Sequence, residues 1–429
     1  MGELVVTSFD DPRLPELLRR PYNIEEYVEK VRPIVRDVAE KGLEALREYS
    51  RKFDKVEPKF VVIDALEAWE IVKKVEARIL DALKRAIDAV YAFHMRLYEE
   101  LLSTPRSFAR MGITFKPLIR PLQSVGAYVP GGEHPYPSSA VMTVVPARVA
   151  GVERIVVATP PMREGDNAGL PNPLAVAAAV LAGATEILVA GGAQAIAALA
   201  YGLKGVLEPV DKIVGPGSPY VEAAKLLVSH RVGIDMVAGP SEVAVIADGK
   251  ADARSIALEM LSQLEHGPFS TALLVTNSPW LVEAVQLLLE KHVKSENMGR
   301  AIIVKVDTLE KGVKIVEKFA PEHLYIEADG AEKLAARIRN AGIVSIGIPT
   351  ALTDYSAGPS HVLPTGGYAR VRGGLTPLDF VKVSVVVSGR LVHPQLVEAA
   401  IALAEAEGFK WHAESLRYWL EKSRRGLTT

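Results

Sequence analysis

The chain runs to 429 residues, more than a single hydrophobic core usually serves, so two or more domains are expected. Its 50 Lys and Arg nearly balance 52 Asp and Glu, and neither sign gathers into a long run, which argues against nucleic acid or an anionic membrane as partner. There is no cysteine; disulfides, thiolate metal ligands and a thiol nucleophile are thereby excluded, and any metal must sit on His, carboxylate or amide donors.

Residues 1–22 carry Asp10, Asp11, Arg13, Glu16, Arg19 and Arg20 with no apolar stretch behind a basic start. They read as an N-terminal arm with no signal peptide, and the chain as cytoplasmic. From Ile24 to Tyr49 and from Leu66 to Leu102, apolar residues recur at three-to-four spacing (Val28, Val31, Ile34, Val35, Val38), the pattern of long amphipathic helices.

After Val141 short β-branched runs alternate with Ala-rich segments: Arg154–Ala158, Pro173–Ala182, Glu186–Ala190 and Ala193–Tyr201. That alternation marks βαβ units on a parallel sheet. Asn172 can cap the helix that Pro173 opens, and Gly183 closes it. The apolar stretch Pro173–Ala200 is interrupted by Gly183, Glu186, Gly191, Gly192 and Gln194, so it reads as buried core, not as a membrane span.

A second series of strands is expected at Glu242–Ala247, Thr271–Val275, Ala301–Val306, Leu324–Glu327 and Ile343–Ile346, again with helices between. The tail adds a β-branched run, Val383–Val387, a helix from Pro394 to Glu407 and another from about His412. The fold class is therefore α/β, with two Rossmann-like parallel-sheet domains, long N-terminal helices and a small C-terminal extension. The domains group as 23–127 with 242–375, an inserted 128–241, and an extension of 376–429.

Four segments carry candidate chemistry. The helix Asp252–His266 presents Gln263 and His266 three residues apart on one face, with His266 in the last turn, where the helix dipole favours a cation; a solvated histidine is the competing reading. Asp354 to His361 holds an Asp and a His on a Gly/Pro loop after a strand, where open α/β sheets place ligands, although Asp354 could equally serve an Asx-turn. In Ala320-Pro321-Glu322-His323, Pro321 biases Ala320 toward an extended backbone, so Glu322 and His323 would address different atoms. Such a pair could divide the two proton tasks of an alcohol-to-acid oxidation, unless their adjacency is chance. Glu407 to His412 is bounded by Gly408 and says little alone.

Gln263, His266, Asp354 and His412 could together supply a nitrogen/oxygen set suited to zinc or a similar divalent ion, Gln being an unusual ligand. No G-x-G-x-x-G follows a strand, so the usual dinucleotide fingerprint is missing. The turns Pro130-Gly131-Gly132, Gly191-Gly192-Ala193-Gln194 and Gly215-Pro216-Gly217 could admit a phosphate or merely turn the chain.

Taken in order, these segments resemble the histidinol dehydrogenase family from about Val38 to His412. The resemblance is carried by Gly126–Gly132, Val189–Ile196, Asp211–Gly217, Ile234–Glu242, Leu261–Gly267, Phe319–Leu324, Asp354–Gly358 and His361–Gly367. It implies oxidation of L-histidinol to L-histidine by two hydride transfers to NAD, with Zn2+ in each site of a homodimer. It implies further that Gln263, His266, Asp354 and His412 hold the zinc, and that Glu322 and His323 transfer protons. Substrate contacts would fall to Ser241, His361 and Glu407 beside the zinc set and His323, and NAD contacts to Tyr128, Gln194 and Ser218. Glu407 and His412 would serve the partner subunit's site.

Three departures from the family pattern stand out: Ser218-Pro219 after Gly-Pro-Gly, His134 in the Gly-Gly-x-x-Pro turn, and Pro359-Ser360 before His361. A related zinc/NAD dehydrogenase of another small alcohol, a zinc hydrolase working through Glu322, and a non-catalytic binding protein remain as alternatives.

Overall fold

The computed structural model describes residues 2–20, 23–102, 106–131, 134–293, 297–389 and 392–425. Met1, Pro21 and Tyr22 of the arm, and Gly132 of the first glycine turn, fall outside them. The chain divides into two compact units, 1–97 with 122–380, and 98–121 with 381–429.

The strands in chain order are β1 (Glu3–Ser8), β2 (Val62–Asp64), β3 (Phe108–Arg110), β4 (Ile113–Pro121), β5 (Ser124–Tyr128), β6 (Arg154–Thr159), β7 (Glu186–Val189) and β8 (Lys212–Val214). They continue as β9 (Gly233–Ile234), β10 (Glu242–Ala247), β11 (Thr271–Thr276), β12 (Arg300–Lys305), β13 (His323–Glu327), β14 (Ile343–Ile346) and β15 (Val381–Ser388). In the larger unit one six-stranded sheet runs β2-β7-β6-β5-β8-β9, parallel except for β2 at its edge. The other runs β1-β12-β11-β10-β13-β14 and is parallel throughout. Leaving aside the edge strands β2 and β1, each sheet reverses its strand order once, between β5 and β8 in the first and between β10 and β13 in the second.

Alternating residues of the second sheet bury on opposite faces, as a parallel sheet covered on both sides requires. Val243, Val245, Leu274 and Ile303 pack with Ile256, Met260 and Leu264 of the helix Ala253–Leu264. Ala244, Ile246, Leu273 and Ile302 pack with Val313, Val316 and Phe319 of the helix Leu309–Phe319. The central strands of the first sheet are Val/Ala-rich and fully covered; its core takes in Val31, Ile34, Val35 and Val38 from the helix Glu25–Lys41.

The 23–127 segment, grouped by sequence with 242–375, thus gives its early helices and strands β2 and β5 to the first sheet. The helix Glu25–Lys41 packs on the helices Gly192–Tyr201 and Pro219–Val228. The arm is no loose extension either: β1 pairs with β12 along the edge of the second sheet. Each long helix expected near the N-terminus is two. Gly42, at φ 59° and ψ −123°, separates Glu25–Lys41 from Leu43–Tyr49, and residues 73–76 separate Ala65–Val72 from Ala77–Leu102. The helix Pro173–Ala182 has its expected ends, with Leu174 N–H donating to Asn172 Oδ1 at 2.9 Å and Gly183 left-handed.

The smaller unit pairs β4 with β15 and β3 in an antiparallel sheet, joined by the helices Pro394–Ala406 and Lys410–Arg424. The extension therefore includes 98–121 as well as the tail, because β15 finds its hydrogen-bonding partner in β4.

Candidate active site

The larger unit holds a cavity of about 470 Å3. The turn after β5, at Pro130, and the turn after β8, Gly215 to Ser218, meet where strand order reverses, the position at which open α/β sheets take ligands. The opposite wall comes from the starts of strands in the second sheet: Ser241 before β10, Ser270 before β11, and Glu322 and His323 at β13. The cavity thus lies at the carboxyl ends of one sheet and the amino ends of the other, whereas carboxyl ends alone were expected.

His323 is 2% exposed, and its Nε2 lies 3.3 Å from Asp354 Oδ1. Its Nδ1 is buried with no hydrogen-bond partner among the described residues. Burial works to lower this imidazole, but the hydrogen bond and charge of Asp354, with Glu322 and Glu259 behind it, raise it above the ordinary value. Glu322 points another way, as strand geometry dictates: its Oε2 accepts the Glu242 N–H at 2.9 Å. Burial, the largest influence, pushes its carboxyl up to about 8.

The backbone leading into this pair is not extended. Ala320 sits at φ 52° and ψ 67°, closing the helix Leu309–Phe319 in a left-handed cap. Such a conformation costs a non-glycine residue about 1 kcal/mol or more. It is held from outside: the Arg20 guanidinium donates to the Phe319 carbonyl at 2.6 Å, lies 4.4 Å from the Phe319 ring, and also pairs with Glu242.

Asp354 rides on a short helix, Thr350–Tyr355, not on a loop. Buried Glu259 makes that helix possible by accepting from the Thr350 N–H at 3.1 Å and from its hydroxyl at 2.6 Å, filling the helix's unpaired donors with a negative charge. His361 Nδ1 donates to the Asp354 carbonyl at 2.7 Å, leaving Nε2 as the acceptor 3.4 Å from Ser139 Oγ. Burial lowers the His361 pKa, and lowers that of His266, so both favour neutral imidazole, the form that binds a cation.

Gln263 is buried in the last helical turn, and His266 follows one residue past the Glu265 cap instead of inside the helix. The helix stops early because Ser270 Oγ and the Gly299 N–H both claim the Leu264 carbonyl, at 3.0 and 3.1 Å. Gln263, His266, Asp354, His361, Ser241, Ser218, Glu322 and His323 all line the one cavity. Tyr128 and Gln194 lie instead around the 191–194 turn. Tyr128 Oη accepts the Gly192 N–H at 3.0 Å, and Gln194 Nε2 donates to Asp54 at 3.3 Å. Glu407 and His412 belong to the smaller unit, both exposed, as the C-cap of one helix and in the first turn of the next.

Among the described residues, no group of three or more His, Asp or Glu side chains is gathered as a ready metal site. The donor chemistry nonetheless suits a borderline cation such as zinc: one amide, one carboxylate and a histidine with lowered pKa share the cavity wall, and no thiolate competes.

Sequence reasoning missed Arg20, Ser139, Glu242 as an ion-pair partner, Glu259 and Asp54. Ser139 had one local signal, the Pro137 that opens the helix Pro137–Val149; the others act across long sequence separations and leave no local pattern. Of the departures, Pro219 is the first residue of the helix Pro219–Val228 and loses no hydrogen bond there. Ser360 donates to the Met142 carbonyl at 2.9 Å. His134 is exposed, and nothing in the structure explains it.

An α/β enzyme with a glycine-turn wall at a strand-order reversal and an acid and imidazole on the facing wall has the architecture of a dinucleotide-dependent oxidoreductase. A family model described as histidinol dehydrogenase matches residues 17–420. Proteins named histidinol dehydrogenase from Methanosarcina barkeri and Archaeoglobus fulgidus are each 41% identical, covering 96% of this chain and 96% of the first, and 94% of this chain and 98% of the second. The crystal structure of histidinol dehydrogenase from Elizabethkingia anophelis superposes with a TM-score of 0.86 at 29% identity, over 98% of both chains. The chain belongs to the histidinol dehydrogenase family, whose members are NAD-dependent oxidoreductases. No helix among the described residues is long and apolar enough to cross a membrane.

Proposed function

We propose that this chain oxidises L-histidinol through L-histidinal to L-histidine, the closing steps of histidine biosynthesis, in the cytoplasm. The observation that carries the reading is the convergence, on one cavity, of Glu322 and His323 with Gln263, His266, Asp354, His361 and Ser241. NAD, when bound, accepts a hydride in each step, and zinc, when bound, supplies a positive anchor for the substrate's imidazole and amine.

The chain's own groups divide the proton work. In the first oxidation His323, oriented by Asp354, takes the hydroxyl proton as the carbinol hydrogen leaves with its electron pair. In the second, Glu322 in its ionised form takes a proton from water as the water oxygen bonds to the aldehyde carbon, and the hydrated carbon then gives up its hydride to leave a carboxylate. Ser241 and His361 orient the substrate, while Gln263, His266 and Asp354 would hold zinc. Tyr128, Gln194 and Ser218 would contact NAD; of the three, Ser218 lines the cavity, and the other two stand at the 191–194 turn. Holding both reactants in one cavity converts each step to a near-unimolecular one.

His412 would complete the metal set, and Glu407 the substrate shell, from a second copy of the chain. The smaller unit supports this reading. Of its described hydrophobic side chains only Val397 and Ala413 are buried, while Val383, Val385, Val387, Leu403 and Trp411 are exposed. An edge strand as apolar as β15 is an aggregation hazard unless a partner covers it.

The decisive assay follows NADH absorbance with histidinol and NAD, and identifies the product by mass spectrometry. Two NADH should form per histidine. Absence of NADH, or turnover of other small alcohols with histidinol ignored, overturns the reading.

A further inference from the structure

Among the described residues, one of the largest fully buried side chains is a lysine, Lys225, on the helix Pro219–Val228. An ammonium group offers three N–H donors, and here three acceptors meet them. Nζ lies 3.0 Å from the Gly215 carbonyl, 3.1 Å from Glu222 Oε2 and 2.7 Å from Asp235 Oδ1. Both carboxylates are at least 99% shielded at the side chain.

Those carboxylates do a second job. Asp235 Oδ2 accepts the Gly215 N–H at 2.8 Å and Oδ1 the Met236 N–H at 2.7 Å, while Glu222 Oε2 accepts the Ala238 N–H at 2.8 Å. Both peptide groups of Gly215 are thus fixed, one directly by Lys225 and one through Asp235. Two amides of the segment joining β9 to β10 are fixed by the same three charges. Gly215, Asp235, Met236 and Ala238 all line the cavity. Gly215 stands at φ +112°, with the Tyr128 carbonyl occupying the space a Cβ would need, so this turn has no slack of its own.

Burying three charges is a poor way to gain stability, because desolvation consumes most of the attraction. What the arrangement does accomplish is register between two walls: the 215–218 turn, and the 235–241 segment that ends at Ser241 beside Glu322.

We propose that Lys225, through Asp235 and Glu222, is a positioning residue that locks the 215–218 turn against the 235–241 segment and thereby sets the cofactor wall of the cavity. The proposal rests on the reading that this wall receives NAD. Loss of the lock should loosen NAD binding far more than histidinol binding, since of the histidinol groups only Ser241, at the far end of the 235–241 segment, stands on a locked element.

The test is steady-state kinetics with each substrate varied separately in wild type, Lys225→Met and Asp235→Asn. Lys225→Met leaves two carboxylates unpaired and can fail to fold. Asp235→Asn is isosteric, keeps Lys225 balanced by Glu222, and loses the acceptor for the Gly215 N–H, so it decides the matter alone if necessary.

The expected result is a KM for NAD raised about tenfold or more, with the KM for histidinol within about twofold and an unchanged far-ultraviolet circular dichroism spectrum. A KM for NAD equal to wild type in folded Asp235→Asn, or equal rises for both substrates, overturns the proposal. Failure of the underlying reading looks different: wild type itself would then form no NADH from histidinol.

Discussion

His94 offers a measurement of how much one buried imidazole costs. It lies in the helix Ala77–Leu102, fully shielded, and neither ring nitrogen meets a partner among the described residues. Burial pushes its pKa down from 6.5 to about 4. The unfolded chain therefore takes up a proton near pH 6.5, while the folded chain resists until about pH 4. In that window the unfolded state binds more protons, so stability is complete above 6.5 and falls as the pH drops. At about 1.36 kcal/mol per pH unit, the full loss is about 3 kcal/mol, of which about 2 kcal/mol is gone between pH 7.5 and pH 5. His94→Leu removes both the unpartnered nitrogens and this dependence. Urea unfolding of the two proteins at pH 7.5 and pH 5 should show wild type losing about 2 kcal/mol more than the variant. Parallel losses would refute the assignment of a neutral, unsolvated His94.

Glu322→Gln keeps the acceptor for the Glu242 N–H but cannot take a proton, so it and His323→Ala should fold, retain zinc and slow turnover by about 10²–10⁴-fold; near-normal rates in both would remove their proton-transfer roles. Arg20→Met strands buried Glu242 without its cation and should cost about 3–5 kcal/mol in chemical unfolding, and adding Glu242→Gln should recover part of it; no recovery would mean the pair is not what holds this corner. Dialysis against a chelator should abolish NADH formation and zinc should restore it with the circular dichroism spectrum unchanged, whereas full activity in demonstrably metal-free protein would exclude zinc from the reaction. If two copies complete each other's sites, mixing unfolded His266→Ala and His412→Ala chains and refolding them together should regenerate about a quarter of the wild-type sites, a recovery that self-sufficient subunits could not produce.

The parts of the fold that could be read from sequence were those with local signals. Asn172, Pro173 and Gly183 bracket a helix by capping chemistry alone, and the β-branched runs of β10 to β13 are long enough to announce buried parallel strands. β1 and β2 escaped because their partners, β12 and β7, lie far along the chain and their own residues alternate too briefly to signal pairing. The candidate site was legible as residue types but not as geometry. Pro321 argued for an extended Ala320, and a tertiary contact from Arg20 sustains a left-handed one. Asp354 read as a loop residue because the charge that caps its helix, Glu259, comes from another element. Lys225 drew no notice in the sequence, since nothing in its neighbours foretells that three acceptors will enclose it.

The two sheets meet the cavity with opposite ends, and the chain passes from one to the other through residues 235–241. Along that short span, the finish of β9 and the start of β10 are tied to a common seam, so the relative height of the two sheets is fixed by chain length itself. Added residues in surface turns elsewhere can bulge outward harmlessly. A single residue inserted here would change the spacing between the two halves of the reaction chamber, so this stretch of backbone has little freedom to vary in length.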